Sequence, residues 1–128
     1  MSFAPEILQL LGQTDEVQIE PRPRDGQPTQ PVTIWVVVAD GDVYVRSYRG
    51  PAGRWYQALR QHPEGVLPVG DRQIAFRAVP VDDSQTIASV SEAYRRKYAA
   101  RWPAETAEML RDEALPTTLR LESVSTTA

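Results

Sequence analysis

Residues 42–56 are Asp-Val-Tyr-Val-Arg-Ser-Tyr-Arg-Gly-Pro-Ala-Gly-Arg-Trp-Tyr, a succession that predicts a strand, a glycine-bounded turn and the start of a helix. The strand ends in more hydrogen-bond donors than a purely structural hairpin requires. These donors are Arg46, Ser47, Arg49 and Arg54, followed by the aromatic residues Trp55 and Tyr56. The stretch is therefore the first place to look for a functional site.

The residues before this stretch predict the centre of a β-sheet. Val32–Ala39 is nearly all apolar and rich in β-branched side chains, which is typical of a strand buried on both faces. Asp40 and Gly41 then supply the positive-φ dipeptide of a two-residue hairpin, so Val43–Arg49 is expected to form the partner strand. We expect the Val32–Ala39 strand to be central in the sheet.

The rest of the chain predicts a mainly β protein with flanking helices, an α+β fold. The other expected elements are a helix over Ser2–Leu11, a strand over Thr14–Glu20, a proline-rich loop over Arg22–Pro31, a helix over Arg54–Gln61, a hairpin of Gly65–Val69 and Gln73–Val81, a helix capped by Asp82–Ser84, a shorter helix from Pro103 to about Arg111, and a strand over Leu115–Val124. Because hairpins dominate, the sheet is expected to be antiparallel, and a barrel would hide its edges.

The composition fits one globular domain over residues 1–128 and removes several kinds of chemistry. The chain has no cysteine and a single histidine, His62, which excludes thiolate nucleophiles and multi-histidine metal sites. His62 precedes Pro63 at an expected helix end, where capping is its ordinary role. No catalytic residue can be assigned from these patterns, and no metal site is expected.

The charge and hydropathy patterns limit the expected partners. The net charge of -3 argues against a general nucleic-acid surface. No apolar run approaches the roughly 20 residues that a membrane-spanning helix needs, and no signal peptide is evident. We therefore expect a cytoplasmic protein that binds neither nucleic acid nor membrane.

The turn that follows the strand suggests an anion site. Gly50 and Gly53 precede a helix start, where free backbone N–H groups and the helix dipole favour negative charge, and Arg46, Ser47, Arg49 and Arg54 could add donors. No Walker or dinucleotide-binding fingerprint is present. The alternative is that the arginines pair with surface carboxylates while the glycines only form the turn.

Two pairs of aromatic residues allow a similar choice. Trp55 and Tyr56 adjoin the expected anion site, and Tyr94 and Tyr98 lie one turn apart on an apolar stripe of the helix after Ser84. Together they could stack on a planar ring. The alternative is that they fill the core, as large aromatic residues usually do.

The residues just discussed resemble a known family. The segments that carry the resemblance are Val36–Val38, Asp40–Ser47, Gly50 with Gly53, Trp55–Leu59 and His62–Gly65. They resemble the DUF2255 family of uncharacterised bacterial proteins and, more distantly, the deazaflavin-dependent nitroreductases of the FMN-binding split-barrel superfamily. In that comparison the matching positions are Ser47, Gly50, Gly53, Trp55, Tyr56, Tyr94 and Tyr98.

The resemblance implies an antiparallel split β-barrel, commonly a homodimer with its cofactor near the subunit interface. It implies that FMN or a deazaflavin binds near Ser47, Gly50, Gly53, Trp55 and Tyr56, with Tyr94 and Tyr98 in the substrate pocket. The donors that converge at the end of the strand add Arg46, Arg49 and Arg54 to the expected cofactor site. It also places Arg22 and Arg24, with Asp25-Gly26, near the phosphate loop of the nitroreductases. That loop lacks their lysines and repeated glycines here.

Two functions follow as expectations. One is a flavin- or deazaflavin-dependent oxidoreductase that acts on a small molecule. The other is a split-barrel domain without cofactor or catalysis that binds a small ligand or a protein. The second function predicts a filled or absent pocket, an Arg46 paired with a carboxylate, and Tyr94 and Tyr98 packed in the core.

Overall fold

The computed structural model describes residues 3–22 and 30–124. The Ser2 helix cap and the Arg24, Asp25 and Gly26 loop lie outside the described residues. The helices are α1 (Pro5–Gln13), α2 (Arg54–Gln61), α3 (Ser84–Tyr98) and α4 (Pro103–Met109). The strands are β1 (Glu16–Pro21), β2 (Val32–Trp35), β3 (Val37–Ala39), β4 (Asp42–Val45), β5 (Glu64–Val69), β6 (Arg72–Pro80) and β7 (Leu119–Ser123).

The strands form an antiparallel sheet in the order β2-β1-β5-β6-β7-β4-β3. Its two end strands, β2 and β3, are consecutive in sequence and are separated by Val36 alone. One residue can span only about 3.5 Å, so the two ends of the sheet must lie side by side. The sheet therefore curls into a nearly closed barrel, the split barrel that the sequence predicted.

The expectation of one central strand over Val32–Ala39 is wrong. The stretch is two strands that break at Val36 and occupy the ends of the strand order. At the break, Val36 N donates to the Tyr98 hydroxyl at 3.1 Å, and Lys97 Nζ donates to Val36 O at 2.7 Å. Side chains from α3 thus take the place of a neighbouring strand as hydrogen-bond partners of Val36. An unbroken apolar sequence gives no sign of such a break in the strand.

The hairpin and helix expectations around residues 40–61 are confirmed, with one shorter strand. Asp40 and Gly41 have φ values of 53° and 80° between β3 and β4. α2 spans Arg54–Gln61 as expected. β4 ends at Val45 rather than Arg49, because Ser47 N donates to Thr117 Oγ1 at 3.0 Å outside the ladder.

Other ends differ slightly from expectation. The turn between β5 and β6 has two residues, since Arg72 already pairs with Val69. β7 begins at Leu119 because a short 3₁₀ helix occupies Leu115–Thr117, where Pro116 cannot donate to a ladder. α4 ends at Met109.

Two apolar cores lie on the two sides of the sheet. The barrel interior is filled by residues from all seven strands, with β3 contributing the partly buried Val38, together with α1 and α2. Its fully buried members include Val43, Val45, Leu59, Phe76 and Leu121. The second core lies between the outside of β3 and β4 and the helices α3 and α4. It contains Val37, Tyr44, Val90, Tyr94, Tyr98 and Met109. The expected apolar stripe of α3 is thereby confirmed. No helix within residues 3–22 and 30–124 is long and apolar enough to cross a membrane.

Candidate functional site

A cavity of about 650 Å³ opens where the chain leaves β4, within the size range of small-molecule sites. Besides the end of β4 and the start of α2, β1, β2 and α4 contribute to its walls. The lining residues are Glu16, Val32, Thr33, Ile34, Trp35, Arg46, Ser47, Tyr48, Arg49, Gly53, Arg54, Trp55, Trp102, Glu105 and Met109. Six of the eight residues predicted to bind cofactor are in this set: Arg46, Ser47, Arg49, Gly53, Arg54 and Trp55.

The turn over residues 47–53 is fixed by backbone geometry and by one arginine. Gly50 has a φ of 66°, a conformation that favours glycine, and its N–H donates to Ser47 O at 3.0 Å. Arg111 Nη2 donates to Tyr48 O at 2.5 Å, which ties the turn to the segment after α4. Gly50 does not line the cavity and serves the turn.

The side chain of Ser47 is the unusual feature of this turn. Ser47 is buried to 1% exposure, and its Oγ has no hydrogen-bond partner among the described residues. A Cβ atom on Gly53 would collide with that oxygen. Gly53 is also the residue before α2, and no side chain caps this helix. A buried hydroxyl and the uncapped N–H groups of a helix thus lie together in the cavity wall.

Arg49 and Arg54 are exposed residues of the same wall. Neither side chain forms a hydrogen bond or an ion pair with any residue in the described ranges, so surface pairing does not explain them. Arg22, by contrast, pairs with Glu20 at 3.0 Å. Arg49 and Arg54 are therefore available to an anionic ligand.

Arg46 is held differently, as a fully buried cation. Its Nε donates to Thr118 Oγ1 at 2.8 Å, Nη1 to Met109 O at 3.0 Å and Nη2 to Ile87 O at 2.9 Å. Burial lowers the pKa of Arg46 from its ordinary value. No carboxylate within the described residues pairs with it. Arg46 braces the wall, and its uncompensated charge lies beside the cavity.

The tryptophans supply the apolar part of the cavity. All three tryptophans of the chain, Trp35, Trp55 and Trp102, line it. The rings of Trp35 and Trp102 have centroids 5.8 Å apart. Tyr56 does not line the cavity: it packs in the barrel interior, and its hydroxyl accepts from Arg60 Nη1 at 2.9 Å.

Tyr94 and Tyr98 are fully buried and do not line this cavity. Tyr98 stacks on Trp35 with a centroid distance of 3.9 Å, so it supports the wall from behind. The Tyr94 ring lies 5.4 Å from the guanidinium carbon of Arg46, and its hydroxyl has no partner within the described residues. Burial raises the pKa of both phenols. Their position is the one expected for core packing.

Sequence patterns did not identify several of the lining residues. Glu16, Trp102 and Glu105 are far from residues 42–56 in sequence, and Trp35 lies outside that stretch. They reach the cavity through the sheet order and the position of α4. The signal that could have indicated part of this set is Trp102 followed one turn later by Glu105 at a helix start.

The single histidine of the chain does not line the cavity. His62 ends α2 at the opposite end from the cavity, with Nε2 3.5 Å from Glu64 Oε1. Within residues 3–22 and 30–124, no three His, Asp or Glu side chains are grouped as a metal ion would require.

The nearly closed antiparallel barrel with flanking helices defines a split-barrel protein. The chain belongs to the family described as uncharacterized protein conserved in bacteria (DUF2255), whose sequence profile matches residues 7–121. No curated protein sequence matches the chain.

Solved structures of low sequence identity share the fold. A conserved hypothetical protein from Mycobacterium tuberculosis superposes with a TM-score of 0.65 at 17% identity, covering 99% of this chain and 82% of that one. The heme storage protein HutZ from Vibrio cholerae gives 0.62 at 15% identity, with 98% and 92% covered. An F420-H2 dependent reductase gives 0.59 at 15% identity, with 84% and 94% covered.

Proposed function

We propose that this chain binds a flavin-type cofactor, FMN or a deazaflavin, in the cavity at the end of β4, and that it acts as an oxidoreductase on a small molecule. The observation that carries the proposal is the unpartnered buried Ser47 Oγ beside the uncapped start of α2, in a wall with two unpaired arginines. Hydride transfer is the chemistry that such a cofactor supplies when bound.

A phosphate group fits this wall because each feature of it favours negative charge. The first N–H groups of α2 and the helix dipole attract an anion, and the Ser47 hydroxyl can donate to it. Arg49 and Arg54 are free to form charge-assisted hydrogen bonds. Arg46 adds a buried positive charge, and three of its five N–H groups donate to neutral oxygen atoms of the protein.

An aromatic ring system fits the remaining walls. The three tryptophans, with Val32 and Ile34, give the cavity flat apolar surfaces on which an isoalloxazine or deazaflavin ring can stack. Trp35 is itself backed by Tyr98, which fixes the orientation of its ring. We assign Tyr94 and Tyr98 this supporting role rather than direct contact with substrate.

Heme, the ligand associated with the similar protein HutZ, fits these residues less well. The chain has no cysteine, and its one histidine lies at the far end of α2. The cavity offers Met109 and Tyr48 as the side chains that could ligate iron. A domain without cofactor is favoured by the buried Tyr94 and Tyr98, but not by an open cavity or by Arg46, which pairs with no carboxylate in the described residues.

The test is to titrate the protein separately with FMN, riboflavin and F420 and to measure binding from the quenching of tryptophan fluorescence. Every tryptophan lines the cavity, so a ligand there quenches the whole signal. We expect saturable binding of FMN or F420 with a Kd below about 100 μM, and binding of riboflavin, which lacks the phosphate, about tenfold weaker than that of FMN. Absence of saturation by both FMN and F420 contradicts the proposal, and a sharpened Soret band on adding hemin favours heme instead.

Ser47→Ala provides the decisive variant. We expect it to weaken FMN binding about tenfold while leaving riboflavin binding unchanged, because only the phosphate contact is lost. Its free energy of unfolding should stay the same or rise by up to about 1 kcal/mol, since a buried hydroxyl without a partner is removed. Ser91→Ala, at a buried serine outside this cavity, is the matched control and should bind both ligands normally.

We also propose that the chain forms a homodimer that covers the mouth of the cavity. Val32 and Tyr48 are large hydrophobic residues exposed to 39% and 48%, and both line the cavity. Exposed apolar side chains at the rim of a site are typical of a surface that is covered in an assembly.

A further inference from the structure

Two carboxylates line the cavity in addition to Arg46, Arg49 and Arg54, which form its basic wall. Glu16 begins β1, and Glu105 lies in the first turn of α4. Both are exposed, and neither forms a hydrogen bond or an ion pair within residues 3–22 and 30–124. The cavity therefore contains unpaired charges of both signs.

Most glutamates of this chain pair with an arginine, and among the described residues only Glu6, Glu16 and Glu105 do not. Six other glutamates lie 2.9–3.7 Å from an arginine: Glu20, Glu64, Glu92, Glu108, Glu113 and Glu122. The dipole of α4 explains part of the preference for Glu105 at its position, but not its place in a ligand cavity. It does not explain Glu16, which lies on a strand.

Each of the two carboxylates lies next to a tryptophan of the cavity. Glu16 pairs directly with Trp35 across the β1–β2 ladder, so the two side chains leave the sheet on the same side. Glu105 follows Trp102 by three residues at the start of α4. Since the Trp35 and Trp102 rings are neighbours, the two carboxylates flank one aromatic pair.

We propose that Glu16 and Glu105 select a cationic second ligand, an aromatic ammonium or pyridinium compound, as the substrate of this site. Tyr98 stacks on Trp35 with a centroid distance of 3.9 Å, and the Arg101 guanidinium lies 4.4 Å from the centre of the Trp102 ring. The two carboxylates therefore supply the main attraction for an organic cation, and the indole surfaces that line the cavity add to it. The inference rests on the proposed function, because the basic wall is assigned there to the phosphate of the cofactor. The acidic wall then remains for the substrate.

A series of three probes of nearly equal shape tests the charge preference. 1-Methylnicotinamide is a cation, nicotinamide is neutral and nicotinate is an anion. Each is titrated into FMN-saturated protein, and binding is followed from the NMR shifts of the three tryptophan indole N–H signals. We expect 1-methylnicotinamide to bind at least about threefold more tightly than nicotinamide, and nicotinate to bind most weakly.

Neutral variants identify the side chains responsible. Glu16→Gln and Glu105→Gln should each reduce the affinity for 1-methylnicotinamide about threefold, and the double variant should bind it no better than nicotinamide. Affinity for nicotinamide should not change. Glu92→Gln, on α3 outside the cavity, removes the same charge and should keep the preference.

The outcomes separate this inference from the proposed function. The inference is wrong if the FMN-bound protein shows no preference for the cation, or if the double variant keeps that preference. Neither result contradicts the proposed cofactor site. If the protein does not bind FMN, the probes are titrated into the free protein. If the free protein prefers the cation and the double variant does not, the result supports the cation site. It then contradicts only the proposal that a flavin-type cofactor binds.

Discussion

Ser47 and Gly53 constrain each other at the scale of single residues. The serine hydroxyl is buried without a partner, which lowers stability unless a ligand supplies one. A Cβ at position 53 would collide with that oxygen and force the hydroxyl out of its present position. Both choices weaken the turn as a structural element, and both make sense if the hydroxyl and the α2 N–H groups hold an anion.

The variant Gly53→Ala tests this steric constraint, and adding Ser47→Ala should relieve it. The new Cβ would collide with Ser47 Oγ, so we expect a loss of about 1–3 kcal/mol in the free energy of unfolding and weaker FMN binding. In Ser47→Ala/Gly53→Ala the nearest remaining atom is the Cβ of residue 47 at 3.4 Å, an ordinary contact. The double variant should therefore recover most of the stability without recovering FMN binding. Urea denaturation measures this, and additive losses would contradict the steric explanation.

Arg46 shows what residue type alone does not reveal. The sequence predicted that Arg46 contacts the phosphate or ribityl group of a cofactor. In the structure Arg46 lines the cavity, and each of its three nitrogen atoms also donates to a neutral oxygen atom of the protein. The acceptors come from α3, α4 and the segment before β7, which are distant in sequence. An arginine that braces several elements and one that binds a ligand look alike until those elements are placed.

At the scale of elements, α3 closes the barrel where the sheet is interrupted. The Tyr98 hydroxyl accepts from Val36 N at 3.1 Å and lies within donating distance of Asp15 O at 2.7 Å and of Val36 O at 2.9 Å. Lys97 Nζ donates to Leu11 O at 2.9 Å and to Val36 O. Two adjacent side chains thus satisfy the backbone at the break.

Tyr98→Phe and Tyr94→Phe form a matched pair on this helix. Both tyrosines are fully buried, but only the Tyr98 hydroxyl hydrogen-bonds the backbone at the Val36 break. The Tyr94 hydroxyl lacks a partner in the described residues. We expect Tyr98→Phe to lower the free energy of unfolding by about 1–3 kcal/mol, and Tyr94→Phe to change it by less than about 1 kcal/mol. Urea denaturation of the two variants decides the matter, and equal effects would refute the role given to Tyr98.

Because Lys97 hydrogen-bonds the backbone at the Val36 break, its protonation makes the stability of the protein depend on pH. Burial lowers the pKa of Lys97 to about 8, with Asp15 and Arg101 as the nearby charges. An unfolded lysine titrates near 10.4, so above pH 8 the unfolded chain holds a proton that the folded chain releases. Stability should therefore rise with pH from 8 to 9.5, by on the order of 1 kcal/mol after allowance for partial exposure.

Lys97→Arg is the control for that pH dependence. An arginine keeps its charge through this range, so the rise in the free energy of unfolding should disappear in the variant. The measurement stops at pH 9.5, because above pH 10 unfolded tyrosines ionise while the buried ones stay protonated, which lowers stability again. A wild-type stability that is constant or falls from pH 8 to 9.5 would contradict the assignment.

Local patterns predicted those elements whose signals are themselves local. The Asp40-Gly41 hairpin, the Arg54–Gln61 helix and the apolar stripe of α3 follow from turn chemistry, proline and helical spacing. The break at Val36 does not, since its cause is a hydroxyl 62 residues away. The basic wall of the cavity was predicted because it lies within one stretch, whereas Glu16, Trp35 and Trp102 needed the strand order and helix packing.

At the scale of the whole molecule, one residue joins the two ends of the sheet, and the cavity lies near that join. Val32, Ile34 and Trp35 on the end strand β2 form part of the cavity wall. An end strand leaves backbone groups and apolar side chains available for association. The mouth of the cavity and the open edge of the barrel are therefore parts of one surface, which a second copy would cover in the proposed dimer.

Tyr48→Glu tests that dimer. A carboxylate at the most exposed large hydrophobic side chain of the mouth should oppose burial of the surface, so we expect a shift from dimer to monomer in sedimentation velocity. FMN binding should weaken in parallel, because the mouth is left open to water. Gln73→Glu, an exposed position on β6 outside the cavity, adds the same charge and should remain dimeric. A wild-type protein that sediments as a monomer at all concentrations would refute the dimer, and a Tyr48→Glu dimer with normal FMN affinity would move the interface away from the cavity.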